Sequence, residues 1–247
     1  MRIVTIIQAR MGSSRLPGKV MMELTGGKTM LAHTIDRCRL IRQSHEVVVA
    51  TTTDPWDEEI VEFCSKSSVR CVRGSVNDVL DRYCVAAEES NADVVVRVTA
   101  DMPLLDPVIH DYAIHAYLMA RGRYDLVQTS WDGGYCHGLY AQLMSRRALL
   151  EANRLADEHY QRVHVGPYIQ EHPEKFPALH LRAPTPLPEL RLTVDEPADL
   201  VFIRALCAEL QKRDNSFHIG DILDVIEEHP ELLELNRKVK HKEVKDG

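Results

Sequence analysis

From Gln8 to Lys19 the chain reads QARMGSSRLPGK, which sets three cations, Arg10, Arg15 and Lys19, among small residues and includes no acid. A loop that only carried surface charge would mix its signs. Positive charge alone, beside glycines and serines whose backbone N–H groups can face outward, suits a bound anion. Two carboxylates elsewhere have matching contexts: Asp101 in TADMPLLDP and Asp195 in LTVDEPADL each follow an apolar run and precede a helix signal. Hard oxygen donors of this kind hold Mg²⁺ when phosphate oxygens complete its shell. Each signal also has an ordinary reading: Asp101 serves as a turn former or helix cap, and Asp195 as an N-cap. An anion-cradling loop and two acids together make the inventory of a nucleotide site. The loop does not fit G-x-x-x-x-G-K-[ST] and lacks G-x-G-x-x-G, which excludes a P-loop NTPase and disfavours a dinucleotide site.

The elements that must position these residues alternate. RIVTII (2–7), EVVVAT (46–51), VRCVRG (69–74) and ADVVVRVT (92–99) read as strands. Helical patterns follow them at 29–41, from near Pro55, at 79–90 and at 107–120. Such alternation indicates βαβ units around a mainly parallel sheet, and runs apolar throughout fit strands covered on both faces. The loop at 9–19 and Asp101 then both lie beyond strand carboxyl ends, where ligands bind in such sheets. The second half is less regular. YDLVQTS (124–130) reads as a strand, DGGYCHG as a loop, 145–156 as a helix capped by Ser145, and 159–176 as a helical segment stopped by proline. RLTVD (191–195) reads as a short strand before a helix at 196–210 with Pro197 in its first turn, and the charged tail from Asn236 is expected to fray.

The bulk composition narrows the class. Of 247 residues 45% are hydrophobic and 27% charged, which is ordinary for a globular protein. A net charge of −7 argues against a general nucleic-acid binder and makes the local basic cluster stand out. The six cysteines are scattered without a C-x-x-C pair, so free thiols are expected, and the twelve histidines form no H-E-x-x-H or other recognisable ligand spacing. There is no signal-peptide pattern, and no apolar run approaches the ~18 residues of a membrane span, so a cytoplasmic protein without a membrane partner is expected.

Four collinear stretches besides the first loop carry a specific resemblance: RGSVNDVLDRY (73–83), VRVTADMPLLDP (96–107), HVGPYIQEHPEKF (164–176) and RLTVDEPADL (191–200). With QARMGSSRLPGK they resemble the cytidylyltransferases that make CMP-sugars. The closest likeness is to the spore-coat polysaccharide biosynthesis protein F group. Acylneuraminate and 3-deoxy-manno-octulosonate cytidylyltransferases are similar. The resemblance implies a single α/β domain over 1–247 of the nucleotide-diphospho-sugar transferase type, a three-layer sandwich with a mainly parallel, mixed central sheet. Within it, 1–123 would form the nucleotide-binding half, 124–215 the acceptor and dimerisation half, and 216–247 a C-terminal helical tail. It implies transfer of CMP from CTP to an acidic sugar or phosphorylated acceptor, release of pyrophosphate, Mg²⁺ as cofactor, and a homodimer.

Carried over residue by residue, the resemblance assigns Ala9, Arg10, Met11, Gly12, Ser13, Ser14, Arg15 and Lys19 to the triphosphate, with Arg10, Arg15 and Lys19 catalytic. Arg73, Asp78 and Arg82 match the region beside the cytosine base, and Thr99 and Ala100 complete the nucleotide pocket. Asp101 and Asp195 match the metal-holding pair. The chain departs from its relatives at GLYAQLM (138–144), where Tyr140 and Gln142 stand in place of two acids and His137 precedes them; an unusual acceptor at these residues is the expectation. A glycosyltransferase of similar fold remains an alternative, disfavoured because no two aspartates have the Asp-x-Asp spacing that such enzymes use for their metal. A noncatalytic nucleotide-binding homologue is the other alternative.

Overall fold

IVTIIQ, EVVVATT and VVVRVT form the middle of one sheet, which is why they are apolar almost without alternation. In the computed structural model, which describes residues 1–130, 132–213 and 216–240, the strands are β1 (Ile3–Gln8), β2 (Glu23–Thr25), β3 (Lys28–Thr29), β4 (Glu46–Thr52), β5 (Arg70–Gly74), β6 (Val94–Thr99), β7 (Leu126–Thr129), β8 (Gln142–Ser145) and β9 (Ala178–Leu181). Seven of them form a sheet in the order β5-β4-β1-β6-β8-β7-β9, and β2 and β3 make a separate hairpin. All seven run parallel except β8, which is antiparallel to both β6 and β7. The mixed, mainly parallel sheet expected from the sequence is therefore present.

The helices are α1 (Met30–Arg39), α2 (Glu58–Lys66), α3 (Val79–Glu89), α4 (Pro107–Met119), α5 (Arg146–Leu155), α6 (His159–His164), α7 (Pro167–Glu171), α8 (Pro197–Gln211) and α9 (Ile219–Glu228). Local chemistry sets their starts. Thr29, Asp78, Asp106 and Ser145 each accept an N–H bond from the first turn of α1, α3, α4 and α5. Two apolar layers cover the sheet. Leu31 and Ile35 of α1, Ala113 and Ile114 of α4 and Phe202 and Ile203 of α8 pack on Ile3, Ile7, Val96 and Val98. Leu80 and Tyr83 of α3 and Leu149 of α5 pack on Val4, Ile6, Val48 and Val95. Helices on both faces of one sheet make three layers.

Three expectations change. RLTVD is no strand: Arg191 makes one parallel bridge with His137, and 192–195 have no regular secondary structure. The helical segment 159–176 divides into α6 and α7, because Val165 has φ 70° and Pro167 has no N–H to continue a ladder. The strands β8 and β9 and the β2–β3 hairpin were not expected. The fraying foreseen for the tail falls largely on 241–247, outside the described residues.

The turn before β8 supports the segment that carries Asp195. Gly138 has φ 98°, and a Cβ there would lie 2.7 Å from the carbonyl carbon of Leu192, whose own N–H donates to His137 O at 2.8 Å. Gly138→Ala should therefore lower Tm by at least about 5 °C, since strained backbone and overpacking each cost about 1–3 kcal/mol. Gly220→Ala, inside α9 with open space around it, should leave Tm unchanged or raise it slightly. Thermal unfolding followed by circular dichroism separates the two, and equal shifts would show that the 138–192 approach is not close-packed.

Candidate active site

Connections leave the β1–β6 pair in opposite directions, toward β4 and β5 on one side and β8, β7 and β9 on the other. That is a topological switch point, where open α/β sheets bind ligands. The loop 9–18 leaves β1 there, and Thr99, Ala100 and Asp101 leave β6 beside it. The loop is folded on itself: Ser13 and Gly18 both donate N–H bonds to Met11 O at 2.8 Å, with Gly18 at φ 72°. Met11 N–H donates to Asp57 Oδ1 at 2.7 Å. Asp57 is 1% exposed, and its other oxygen accepts from Thr51 Oγ1 and Thr52 N–H, both at 3.1 Å. Among the described residues the backbone N–H groups of Gly12, Ser14 and Arg15 have no acceptor. Spare N–H groups close together in such a loop are what an anion nest requires.

Lys19 lies behind the loop, buried, and joins three segments. Its Nζ donates to Asp101 Oδ2 at 2.8 Å, Asp195 Oδ1 at 3.0 Å and Val194 O at 2.7 Å. Burial alone would lower its pKa, but the carboxylates of Asp101 and Asp195 outweigh that and hold it above the ordinary lysine value. Asp101 answers in kind: burial would raise its carboxyl, yet Lys19 and the Thr99 hydroxyl hold it below the usual carboxylate range. Arg15 spans Asp195 and Glu196, at 3.2 Å to each. Arg191 reaches Asp195 Oδ2 at 2.7 Å and Asp199 Oδ1 at 2.9 Å. Arg15 and Lys19 are thus paired rather than open, because a buried cation needs a counter-charge. Arg10 is exposed.

Neither aspartate is a helix cap. Asp106 caps α4, and α8 starts with a capping box in which Glu196 is the N-cap and Asp199 accepts from the N–H groups of Asp195 and Glu196 at 3.0 Å. The helix-cap reading of both acids fails, while Asp101 does stand in the turn closed by the Met102 N–H bond to Thr99 O at 3.1 Å; the two side chains converge on one ammonium. Two carboxylate oxygens that one Nζ can bridge are also within reach of one small hard cation, with phosphate and water oxygens completing its shell, so the donor set fits Mg²⁺. Among the described residues no group of three or more His, Cys, Asp or Glu forms an all-protein cage.

The remaining candidates are spread more widely. Arg82 is 2% exposed, and its Nε and Nη1 have no partner. Burial, reinforced by the nearby Arg10, pushes its pKa down. Gly74 makes room for it, since a Cβ there would lie 2.8 Å from Arg82 Cγ. Arg73 is held by Glu58 at 2.6 Å and by Thr52 O and Asp54 O, and Asp78 is shared between its cap and Arg162. His137 and Tyr140 pack edge to face at 5.3 Å; the Tyr140 hydroxyl is buried without a partner, and burial pushes its pKa up. Gln142 faces Arg97 from β8. Asp57, Arg191 and Asp199 were missed from sequence. Asp199 had a legible signal, its place three residues after Glu196 in a capping box; Asp57 had none, because a first-turn acid looks the same whether it caps, solvates or anchors a loop.

A mixed α/β sheet whose switch point joins a basic, N–H-rich loop to two aspartates defines a nucleotidyltransferase. The chain belongs to the cytidylyltransferase family: the family model described as Cytidylyltransferase matches residues 4–241. It is similar to the spore coat polysaccharide biosynthesis protein SpsF of Bacillus subtilis, at 30% identity over 236 residues that cover 93% of this chain and 95% of that protein. It is 34% identical to the 3-deoxy-manno-octulosonate cytidylyltransferase of Solibacter usitatus, over only 46% of this chain and 44% of that one. The solved structure of a cytidylyltransferase from Leptospira borgpetersenii superposes with a TM-score of 0.90 at 30% identity, covering 98% of this chain and 100% of that one. The resemblance and the sandwich architecture read from the sequence are both borne out.

Stability separates the cap from the site. Asp199 is fully buried, and Asp199→Ala takes from Arg191 one of its two carboxylates and opens the start of α8, so it should cost about 3–5 kcal/mol, or roughly 10 °C in Tm. Asp195→Ala removes a partly exposed carboxylate that caps nothing and should cost clearly less. Matched thermal melts test this. An equal loss for Asp195→Ala would return that residue to a structural role.

Proposed function

We propose that the protein transfers CMP from CTP to an acidic or phosphorylated sugar and releases pyrophosphate. The observation that carries this reading is the convergence of Asp101 and Asp195 on Lys19 beside the open N–H groups of the 9–18 loop, at the switch point of a cytidylyltransferase chain. The loop N–H groups, Ser13, Arg10, Arg15 and Lys19 would bind the triphosphate. Arg82, buried beside Arg10 without an acid, would gain its counter-charge from the nucleotide, with Ala9, Thr99 and Ala100 forming the adjoining wall. Arg73 and Asp78, both engaged with protein partners, would shape the base pocket rather than donate to it.

The reaction is a displacement at the α-phosphorus. An acceptor hydroxyl oxygen forms the new P–O bond, the bond between the α-phosphorus and the bridging oxygen breaks, and pyrophosphate carries that oxygen and its electrons away. The hydroxyl proton goes to solvent. Mg²⁺, held by Asp101 and Asp195, would supply charge neutralisation at the phosphates. Lys19 and Arg15 then pair with the departing charge, which is where fixed cations help most. The acceptor half, with His137, Tyr140 and Gln142, lacks the acids of its relatives, and a less negative pocket favours an anionic acceptor. A role in surface polysaccharide synthesis is supported by the likeness to the Bacillus subtilis spore coat polysaccharide biosynthesis protein. We place the enzyme in the cytoplasm as a homodimer; no helix among the described residues is long and apolar enough to cross a membrane.

Mixing the protein with CTP, Mg²⁺ and a panel of acidic and phosphorylated sugars should release pyrophosphate with at least one of them, and CTP should raise Tm more than ATP does. Lys19→Ala and Arg15→Ala should each lower kcat/KM for CTP by about 100- to 1,000-fold, the loss of about 3–4 kcal/mol of transition-state stabilisation. Equal shifts with both nucleotides would defeat the cytidine assignment. Effects below about threefold would leave the two side chains as structural ties between the loop and Asp101, Asp195 and Glu196, with no part in turnover.

A further inference from the structure

A row of polar side chains crosses the sheet at the carboxyl ends of its parallel strands, on the face covered by α3 and α5. Its centre is Arg97 of β6, opposite Gln142 of β8, which in turn lies opposite Gln128 of β7. Arg97 Nη1 donates to Gln142 Oε1 and Nη2 to Gln8 Oε1, both at a long 3.4 Å. Its Nε is buried and has no partner. The amides beyond it are better tied: Gln142 and Gln170 donate to Gln128 Oε1 at 2.9 and 2.8 Å, and Gln128 Nε2 lies 3.3 Å from His180 Nδ1. The chain at Gly166 comes down on this row so closely that a Cβ there would lie 2.7 Å from Gln142 Nε2. That roof holds the Gln142 amide with its oxygen toward Arg97.

Arg97 has no acid. Arg2, Arg15, Arg73, Arg162 and Arg191 each pair with a carboxylate, whereas among the described residues none stands within ion-pair distance of Arg97. Leaving a half-buried guanidinium with two long bonds to neutral amides is costly unless an anion arrives. Its planar fork retains the donors for a two-point contact with a carboxylate or phosphate. The position matters too. Thr99 is two residues further along β6 on the same face, about 7 Å away at strand spacing, and its hydroxyl donates to Asp101. An acceptor anchored at Arg97 would therefore present its far end to the site acids.

Resting on the cytidylyltransferase reading, we propose that Arg97, flanked by Gln142 and Gln128, is the subsite that receives the anionic group of the acceptor, a carboxylate or a phosphate. Gln142 is then part of the site. A glutamate at 142 would face Arg97 across the two strands and fill it from within; glutamine leaves it open.

The test needs no turnover. Protein labelled with ¹⁵N-arginine is titrated with sodium phosphate and, separately, with sodium acetate, with and without saturating CTP and Mg²⁺. The Nε–H signal of Arg97, assigned by its disappearance in Arg97→Lys, is followed. A saturable shift in the low millimolar range is expected with at least one anion in the presence of CTP, and the tighter of the two identifies the acceptor's class. Gln142→Glu should weaken that binding at least tenfold. No saturable shift with either anion, or unchanged binding in Gln142→Glu, would overturn the proposal. A missing rise of Tm with CTP and Mg²⁺ would instead count against the nucleotide reading, and the Arg97 signal is read independently of it.

Discussion

The Lys19 ammonium is the joint on which the site depends. It ties the loop after β1 to an aspartate 82 residues away and to another 176 residues away. No local element would bring those segments together. The sheet does so, by setting β1 beside β6, and α8 completes the assembly by starting two residues beyond Asp195, with Glu196 as its N-cap. Around this joint Lys19, Arg15 and Arg191 face Asp101, Asp195, Glu196 and Asp199 in one network. Each charge is acceptable in the interior only because its neighbours carry the opposite sign. In the proposed reaction Asp101 and Asp195 would hold Mg²⁺, and Lys19 and Arg15 would turn to the triphosphate. Charge is exchanged among partners rather than stranded.

Much of this was legible in the sequence because the first half of the chain is built from local rules. Continuous apolar runs announced the buried parallel strands, and cations with no acid marked the loop. Helix-start chemistry placed the Ser145 cap of α5, whereas the caps at Asp78 and Asp106 emerged only with the fold. The second half obeys weaker signals. The strand β8 lies between two antiparallel neighbours and keeps a polar Gln142, so it shows neither a clean alternation nor a full apolar run. RLTVD has the composition of a strand but no neighbour to pair with beyond a single bridge. Read from the sequence, Asp195 stands as the cap of α8, and the Glu196–Asp199 box that in fact starts it was passed over. Only the fold shows Asp199 turned back to the N–H groups and Asp195 turned outward to Lys19.

The halves also differ in how their polar groups are satisfied. Near the loop, acids and bases neutralise one another within hydrogen-bond distance. Toward β7, β8 and β9 the polar groups are amides, with Arg97 as the lone fixed charge of the row. A site that pairs its own charges can await a highly charged nucleotide with its metal. A neutral row around one cation discriminates among smaller ligands by their sign. The two arrangements meet at Thr99 and Asp101, where a transferred phosphoryl group would change hands.

In the proposed reaction nucleotide and metal would meet at the carboxylates that Lys19 holds. Calorimetric titration of CTP into the wild type and into the Asp101→Asn, Asp195→Asn double variant, in excess Mg²⁺ and in excess chelator, tests this. Removing Mg²⁺ should weaken CTP binding to the wild type at least tenfold, about 1.4 kcal/mol, and change binding to the double variant little. Wild-type affinity that is the same with and without Mg²⁺, or a double variant that keeps the full metal dependence, would contradict it.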